Sequence, residues 1–237
     1  MSKLPPNIEC SQCVGKPKSV FCELEKIALE QLEHEKTVNT YKRGQALFYQ
    51  GNPPFGLYCI NNGKVKITKT GYDGKETIVR IASGGDLLGH RSLFSDSPYA
   101  ASAIILEDAN ICFISKKTIY DLMQKEPSIS FRIIMRLSAE MGRAENQLAS
   151  MAQKSVRERF AELLLLLERS FGEKLSNRTE IKIKLSREEM ASMIGTTPET
   201  LTRLVTEFKN DGLIEQNGKS LHLTDRAKVE EYAEFGF

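Results

Sequence analysis

Histidine is scarce in this chain: His34, His90 and His222 are the only three in 237 residues. With so few, no nucleophile–base–acid set suggests itself. No Gly-rich phosphate cradle is present either, so nothing favours an enzyme. Long apolar runs are missing as well, at the N-terminus and elsewhere. A signal peptide and a membrane span are therefore not expected, and the cytoplasm is the expected compartment. There is no excess of one charge: 33 Lys+Arg stand against 31 Asp+Glu, a formal net of +2. From Ala152 onward 14 cations face 15 anions. Any contact with a polyanion must then come from a few placed cations, not from a bulk field. Low-complexity tracts and solenoid repeats are also absent.

What the chain does have is a motif between Leu185 and Leu223, LSREEMASMIGTTPETLTRLVTEFKNDGLIEQNGKSLHL. Ser186 with Glu189 three residues later forms a capping box, opening a helix with Met190, Met193 and Ile194 as apolar positions. Gly195 allows a turn with φ > 0. Thr197 is placed to N-cap a second helix, and Pro198 takes its first position, where a missing N–H costs nothing. Leu201, Leu204, Val205 and Phe208 form that helix's buried stripe, leaving Glu199, Thr202 and Arg203 on its open face. Asp211-Gly212 ends the helix, and Asn217-Gly218 between two apolar pairs signals a hairpin. The order of cap, helix, Gly turn, Pro-led helix and hairpin predicts a winged helix-turn-helix, whose second helix presents its N-terminal residues to base edges.

Upstream, the character of the chain changes three times. Residues 1–19 are polar, Pro-containing and cysteine-bearing, an expected irregular arm. From Val20 to Lys36 the residues Phe21, Leu24, Ile27, Ala28 and Leu32 have helical spacing. Val38 to Ser115 breaks into short strands punctuated by glycine turns, and Gly63-Lys-Val-Lys-Ile-Thr-Lys-Thr alternates as a half-buried strand does. Such strands predict an antiparallel sandwich or jelly roll, here residues 20–126. Residues 127–152 are helical: Ile134, Leu137, Met141, Ala144, Leu148 and Met151 are spaced 3, 4, 3, 4, 3. A helix packed on its own domain would show this seam, and so would a dimer helix. Its place between a β domain and a helix-turn-helix (residues 153–237) favours the dimer, with recognition helices roughly 34 Å apart to meet a palindrome.

This order resembles the CRP/FNR superfamily of bacterial transcription regulators across nearly the whole chain. The landmarks are Tyr41-Lys-Arg-Gly44-Gln-Ala-Leu-Phe48, Gly56-Leu-Tyr-Cys-Ile60, Gly84-Gly-Asp-Leu-Leu-Gly89, the seam helix, and Gly195-Thr-Thr-Pro-Glu-Thr-Leu-Thr-Arg203. The resemblance implies an α+β fold: an N-terminal antiparallel β-roll, a long dimerisation helix and a C-terminal winged helix-turn-helix. It implies a homodimer on double-stranded DNA, with a palindrome of the TTGAT-N4-ATCAA kind. Thr197, Pro198, Glu199, Thr202 and Arg203 would be the contact residues. Arg203 matches guanine O6 and N7, and Glu199 matches cytosine N4. RNA polymerase is an implied partner, met through the roll loops, including Lys69–Lys75, and the face around the wing.

Cys10-x2-Cys13-x8-Cys22 precedes the first helix, and Cys112 lies far downstream in Ala-Asn-Ile-Cys-Phe-Ile. Clustered cysteines in a cytosolic chain favour metal binding over disulfides. The set resembles that of FNR-type oxygen sensors, which implies a [4Fe–4S] cluster on Cys10, Cys13, Cys22 and Cys112, responsive to oxygen or nitric oxide. The x8 gap is longer than that of the best-known family pattern. Structural zinc and redox-active thiols stay open as readings, as does Cys112 as a small core residue. Cys59, between Tyr58 and Ile60, is expected to fill the core. A cyclic nucleotide in the roll is the other effector to weigh. The cAMP-binding members carry Gly-Glu-Leu followed by Arg-Ser. Here the run is Gly89-His90-Arg91-Ser92, and the Arg-Ser positions are Ala100 and Ala101. Haem on His90 and an effector-free DNA-binding or scaffold protein complete the alternatives.

Overall fold

The computed structural model describes residues 8–10, 13, 15–21, 23–176, 178–218 and 220–234. Two compact units emerge, one ending at Met141 and one starting at Gly142, with the division inside a continuous helix.

In the first unit a 3-10 turn at Lys16–Lys18 precedes α1 (Lys26–Glu35). The helix is shorter than the spacing from Val20 predicts. Val20 and Phe21 are buried, yet they lie in a turn ahead of Glu25, whose φ of −59° and ψ of 155° open the helix late. Six strands follow: β1 (Thr37–Tyr41), β2 (Ala46–Phe48), β3 (Gly56–Thr70), β4 (Glu76–Ser83), β5 (Leu87–Leu88) and β6 (Ser102–Ser115). All pair antiparallel in the order β1-β6-β3-β4, with β2 also on β6 and β5 on β3.

The long partners β3 and β6 bend where their register shifts, between Ile60 and Val65. Gly63 sits in that bend at φ +87°, and a Cβ there would lie 2.5 Å from atoms of Asp108 and Ala109. Only glycine fits such a bulge. Alternation along the bent strands splits the core in two. Leu57 and Ile114 join Val20, Phe21 and Leu32 beneath α1, whereas Ile60, Val65 and Ile111 fill the roll interior. Burial of such aliphatic side chains contributes roughly 1.5–3 kcal/mol each. Helices α2 (His90–Phe94), α3 (Lys116–Lys125) and α4 (Pro127–Gln153) complete the order, and Ile129 and Ile133 of α4 join the core beneath α1. This is the β-roll followed by a long helix that the resemblance implies.

After the C-terminal part of α4, the second unit continues with α5 (Val156–Phe171), N-capped by Ser155 in a reciprocal box with Glu158. Strands β7 (Gly172–Lys174), β8 (Thr179–Ile181), β9 (Ile214–Asn217) and β10 (Ser220–Leu223) form one sheet in the order β7-β8-β10-β9. Of the remaining helices, α6 (Arg187–Ile194) packs on α5 and α7, α7 (Pro198–Asn210) also on β9, and α8 (Arg226–Glu234) on α5. Phe160 and Phe208, both fully buried, meet edge-to-face at 4.9 Å between centroids. The unit is a winged helix-turn-helix. Among the described residues no helix is long and apolar enough to cross a membrane.

Candidate nucleic-acid interface and thiol site

The helix-turn-helix follows local chemistry closely. The Ser186 hydroxyl accepts from the Glu189 N–H at 3.1 Å, and the Glu189 carboxylate accepts from the Ser186 N–H at 2.9 Å. Gly195 takes the left-handed conformation at φ +64°. Thr197 caps α7, its hydroxyl accepting from the Thr200 N–H at 3.3 Å, and Pro198 opens the helix. Leu201, Leu204, Val205 and Phe208 are buried, so the remaining face of α7 carries exposed Glu199, Thr202 and Arg203. The Glu199 carboxyl lies below its ordinary range because the α7 N-terminal N–H and the Thr197 hydroxyl bond it. It is therefore ionised, ready to accept from a base amine. The Thr202 hydroxyl donates to the Pro198 carbonyl at 2.7 Å. Gly218, at φ +60°, turns the wing between β9 and β10.

The seam positions of α4 divide in their surroundings. Ile134, Met141, Ala144 and Leu148 are exposed, whereas Leu137 packs on the core beneath α1. The Met151 sulfur would lie 3.2 Å from a Cβ placed on Gly195. Met151 thus braces the turn of the helix-turn-helix within its own unit.

The cysteines converge at the junction of arm and roll. Cys112 is buried on β6, directly opposite Cys59 on β3. Cys10 packs against the same core as Cys59, and its backbone N–H donates to the Glu33 carboxylate. The Lys36 ammonium, on a side chain only 5% exposed, donates to Cys10 Sγ at 2.9 Å and to the Ile8 carbonyl at 2.5 Å. Asn61 Nδ2 donates to Cys13 Sγ at 3.1 Å. Cys22 lies outside the described residues. Burial, and then the neighbouring thiols, raise the Cys59 thiol well above its ordinary value; burial chiefly raises Cys112, to about 11. Cys10 is raised by burial, with Lys36 opposing. Burial alone would lower the Lys36 ammonium, but its bond to Cys10 and the nearby Glu33 hold it above the ordinary value.

Cys59, expected as core filler, does border the core, yet it also faces the other thiols. The sequence signal was available: Gly56-to-Ile60 and the Cys112 run are both strands of one roll. Only the pairing register sets the two cysteines side by side. Among the described residues no three His, Cys, Asp or Glu side chains already stand in metal-holding geometry. Protonated thiols with raised pKa must first lose their protons to a metal.

At the position of the cyclic-nucleotide pocket motif, His90 is 4% exposed and its Nε2 lies 3.0 Å from Glu140 Oε2 on α4. Arg80 and Arg136 also bond Glu140, and Arg136 bonds Asp86. Burial alone would raise the Glu140 carboxyl, but His90 and Arg80 outweigh it and bring it to about 2. Ala100 is exposed and Ala101 half-buried where a phosphate-pairing Arg-Ser would stand. Arg91 is exposed.

The family model of the cyclic nucleotide-binding domain matches residues 38–126, and that of the Crp-like helix-turn-helix domain matches residues 158–232. A CRP-like cAMP-activated global transcriptional regulator of Mycobacterium tuberculosis H37Rv is 28% identical over 210 residues, covering 89% of this chain and 94% of its own. The fumarate and nitrate reduction regulatory protein of Escherichia coli K12 is 26% identical over 230 residues, covering 95% and 90%. The c-di-GMP-responsive global regulator of Xanthomonas campestris superposes with a TM-score of 0.75 at 22% identity, covering 85% of this chain and all of its own.

Proposed function

Because the chain belongs to the CRP/FNR superfamily of transcription regulators, we propose that it reads a TTGAT-N4-ATCAA-like palindrome as a homodimer under the control of a [4Fe–4S] cluster. It is a DNA-binding regulator and not an enzyme. The cluster reading is supported by one observation: the buried Lys36 ammonium donates to Cys10 Sγ and also feels the charge of Cys112, 102 positions further along the chain. The donor chemistry fits, since soft thiolates hold iron–sulfur clusters and a cation offsets their negative charge. Cys10, Cys13, Cys22 and Cys112 are the ligands that the resemblance implies. When bound, such a group supplies an oxidant-labile tie between the arm and the roll.

The remaining work falls to the chain's own side chains. Lys36 orients Cys10 and neutralises charge, Asn61 fixes Cys13, and Glu33 anchors the arm through the Cys10 N–H. On α7, Arg203 and Glu199 make the base contacts. The cAMP reading, which the M. tuberculosis relative brings to mind, finds the ribose-carboxylate position held by His90 in its bond to Glu140. RNA polymerase would meet the exposed tip between β3 and β4. Substitutions within Lys69–Lys75 should spare DNA affinity and lower transcription in a purified system, and full transcription with that loop replaced removes the contact.

Purification without oxygen tests the function. A brown protein containing iron and sulfide, whose affinity for the palindrome falls on exposure to air, is the expected result. A colourless protein that binds the same DNA equally in both conditions would leave an effector-free regulator.

A further inference from the structure

Two helices of the DNA-binding unit end close together, and one side chain satisfies both ends. The tail of α4 closes at Lys154, whose N–H still donates to the Ser150 carbonyl at 2.9 Å. Helix α6 closes at Ile194, just before the left-handed Gly195. The last carbonyls of a helix have no partner within it and carry its partial negative charge. Arg159, half-buried in the first turn of α5, meets both. Its Nε donates to the Ile194 carbonyl at 2.9 Å and its Nη1 to the Lys154 carbonyl at 2.6 Å. A guanidinium is planar and its donors keep a fixed angle, so the two carbonyls are held at one separation.

Other contacts close the same joint. The Met151 sulfur, on the last turn of α4, would lie 3.2 Å from a Cβ on Gly195. The Lys154 ammonium donates to Glu162 on α5 at 2.7 Å and to the Ala233 carbonyl on α8 at 2.6 Å. Only Gly195 and Thr196 separate Ile194 from Thr197, the cap of α7. The start of α7 is therefore placed from the Ile194 carbonyl, and that carbonyl from the end of α4. Ala144 and Leu148, exposed seam positions of α4, belong to the same unit.

The geometry points to Arg159 as the positioning residue that fixes α7 relative to the C-terminal part of the seam helix. In a dimer paired through α4, Arg159 thereby sets the separation of the two recognition helices and the spacer length that they accept. The inference rests on the dimeric DNA-binding reading above and deepens it. Both bonds of Arg159 go to backbone carbonyls of this chain, so it acts through α7 and not on a base.

Full-length wild type and Arg159→Met, which keeps a long side chain without a donor, are compared by fluorescence anisotropy. The duplexes carry TTGAT and ATCAA separated by N4, by a spacer one base pair shorter or by one longer; a single half-site and a random sequence complete the set. One base pair moves the second half-site by about 3.4 Å and turns it by about 35°. Wild type should prefer N4 over the other spacers by about tenfold or more. Arg159→Met should narrow that preference to about threefold or less while keeping single half-site affinity within about twofold. A variant with the wild-type preference overturns the proposal. So does an equal loss on every duplex including the half-site, which is what a merely local structural role gives. A wild type that binds the half-sites specifically but ignores spacer length also overturns it, while sequence reading stands. A wild type that binds the N4 palindrome no better than random DNA overturns both. If Arg159→Met fails to fold, as circular dichroism would show, Arg159→Lys, with one nitrogen in place of the fork, is judged by the same criteria.

Discussion

Arg203 carries the specificity argument at the scale of single residues. It lies on the one face of α7 that its apolar stripe leaves exposed, beside an ionised Glu199. Arg203→Ala should cost about 1–3 kcal/mol per half-site and relax the preference at one G·C pair. Binding assays on specific and random DNA decide it, and equal losses on both would assign Arg203 to phosphate alone. The thiols give a second prediction. Burial favours the neutral form and raises Cys112 to about 11. In the metal-free chain its alkylation should therefore be slow at neutral pH and speed up toward pH 11. A rate already at its plateau near pH 8 would mean that the thiol is not buried as described. These residue-level features differ in how legible they were. Glu199 and Arg203 follow from counting along one helix, a period set by local geometry. The pairing of Cys59 with Cys112 depends on strand register, which spacing along the chain does not encode.

Elements were legible where a short-range rule decides them. The capping box at Ser186, the left-handed Gly195 and Pro198 at the start of α7 all follow from fewer than five neighbouring residues. Removing the α6 cap with Ser186→Ala should cost about 1 kcal/mol, seen as a lower unfolding midpoint of the DNA-binding unit. An unchanged midpoint would show that packing of α6, not its cap, sets its stability. The start of α1 was not legible, because Val20 and Phe21 bury themselves without being helical. Nor was the tie between α2 and α4. Nothing near His90 in the sequence names its partner, since Glu140 is 50 residues on. Glu140→Gln would leave Arg80 and Arg136 short of a carboxylate and should destabilise by about 3 kcal/mol near neutral pH. The Glu140 carboxyl is lower in the folded chain than its ordinary value of 4.5. Its contribution is therefore complete above pH 4.5 and is lost as pH falls through about 2. Urea titrations of both proteins should converge over that window, and a gap that persists at pH 2 would assign the loss to packing.

For the whole molecule, the proposed dimer turns on what α4 leaves exposed. Ile134, Met141 and Leu148 are 59%, 65% and 72% exposed in a single chain, and Phe131 and Met135 are similarly open. An amphipathic helix leaving such side chains in water has apolar area to bury against a second copy. The helix carrying these positions was legible because a 3–4 repeat over six positions is a purely periodic signal. What spacing did not reveal is that Leu137 and Met151 are also engaged within their own units. Ala144, exposed and small, adds no charge to the middle of the seam. A buried carboxylate at this position would oppose pairing unless compensated, whereas alanine leaves the helix free to associate. The dimer should therefore persist when the thiol site is metal-free, and oxidation should change DNA affinity more than oligomeric state. Sedimentation of the metal-free chain at micromolar concentration should give a dimer in air and without oxygen alike. Leu148→Glu, which puts a charge into the seam, should convert it to a monomer under both conditions. A wild-type chain that is monomeric in air and dimeric without oxygen would instead place the switch in association itself, with α4 too weak to pair until the arm is tied down.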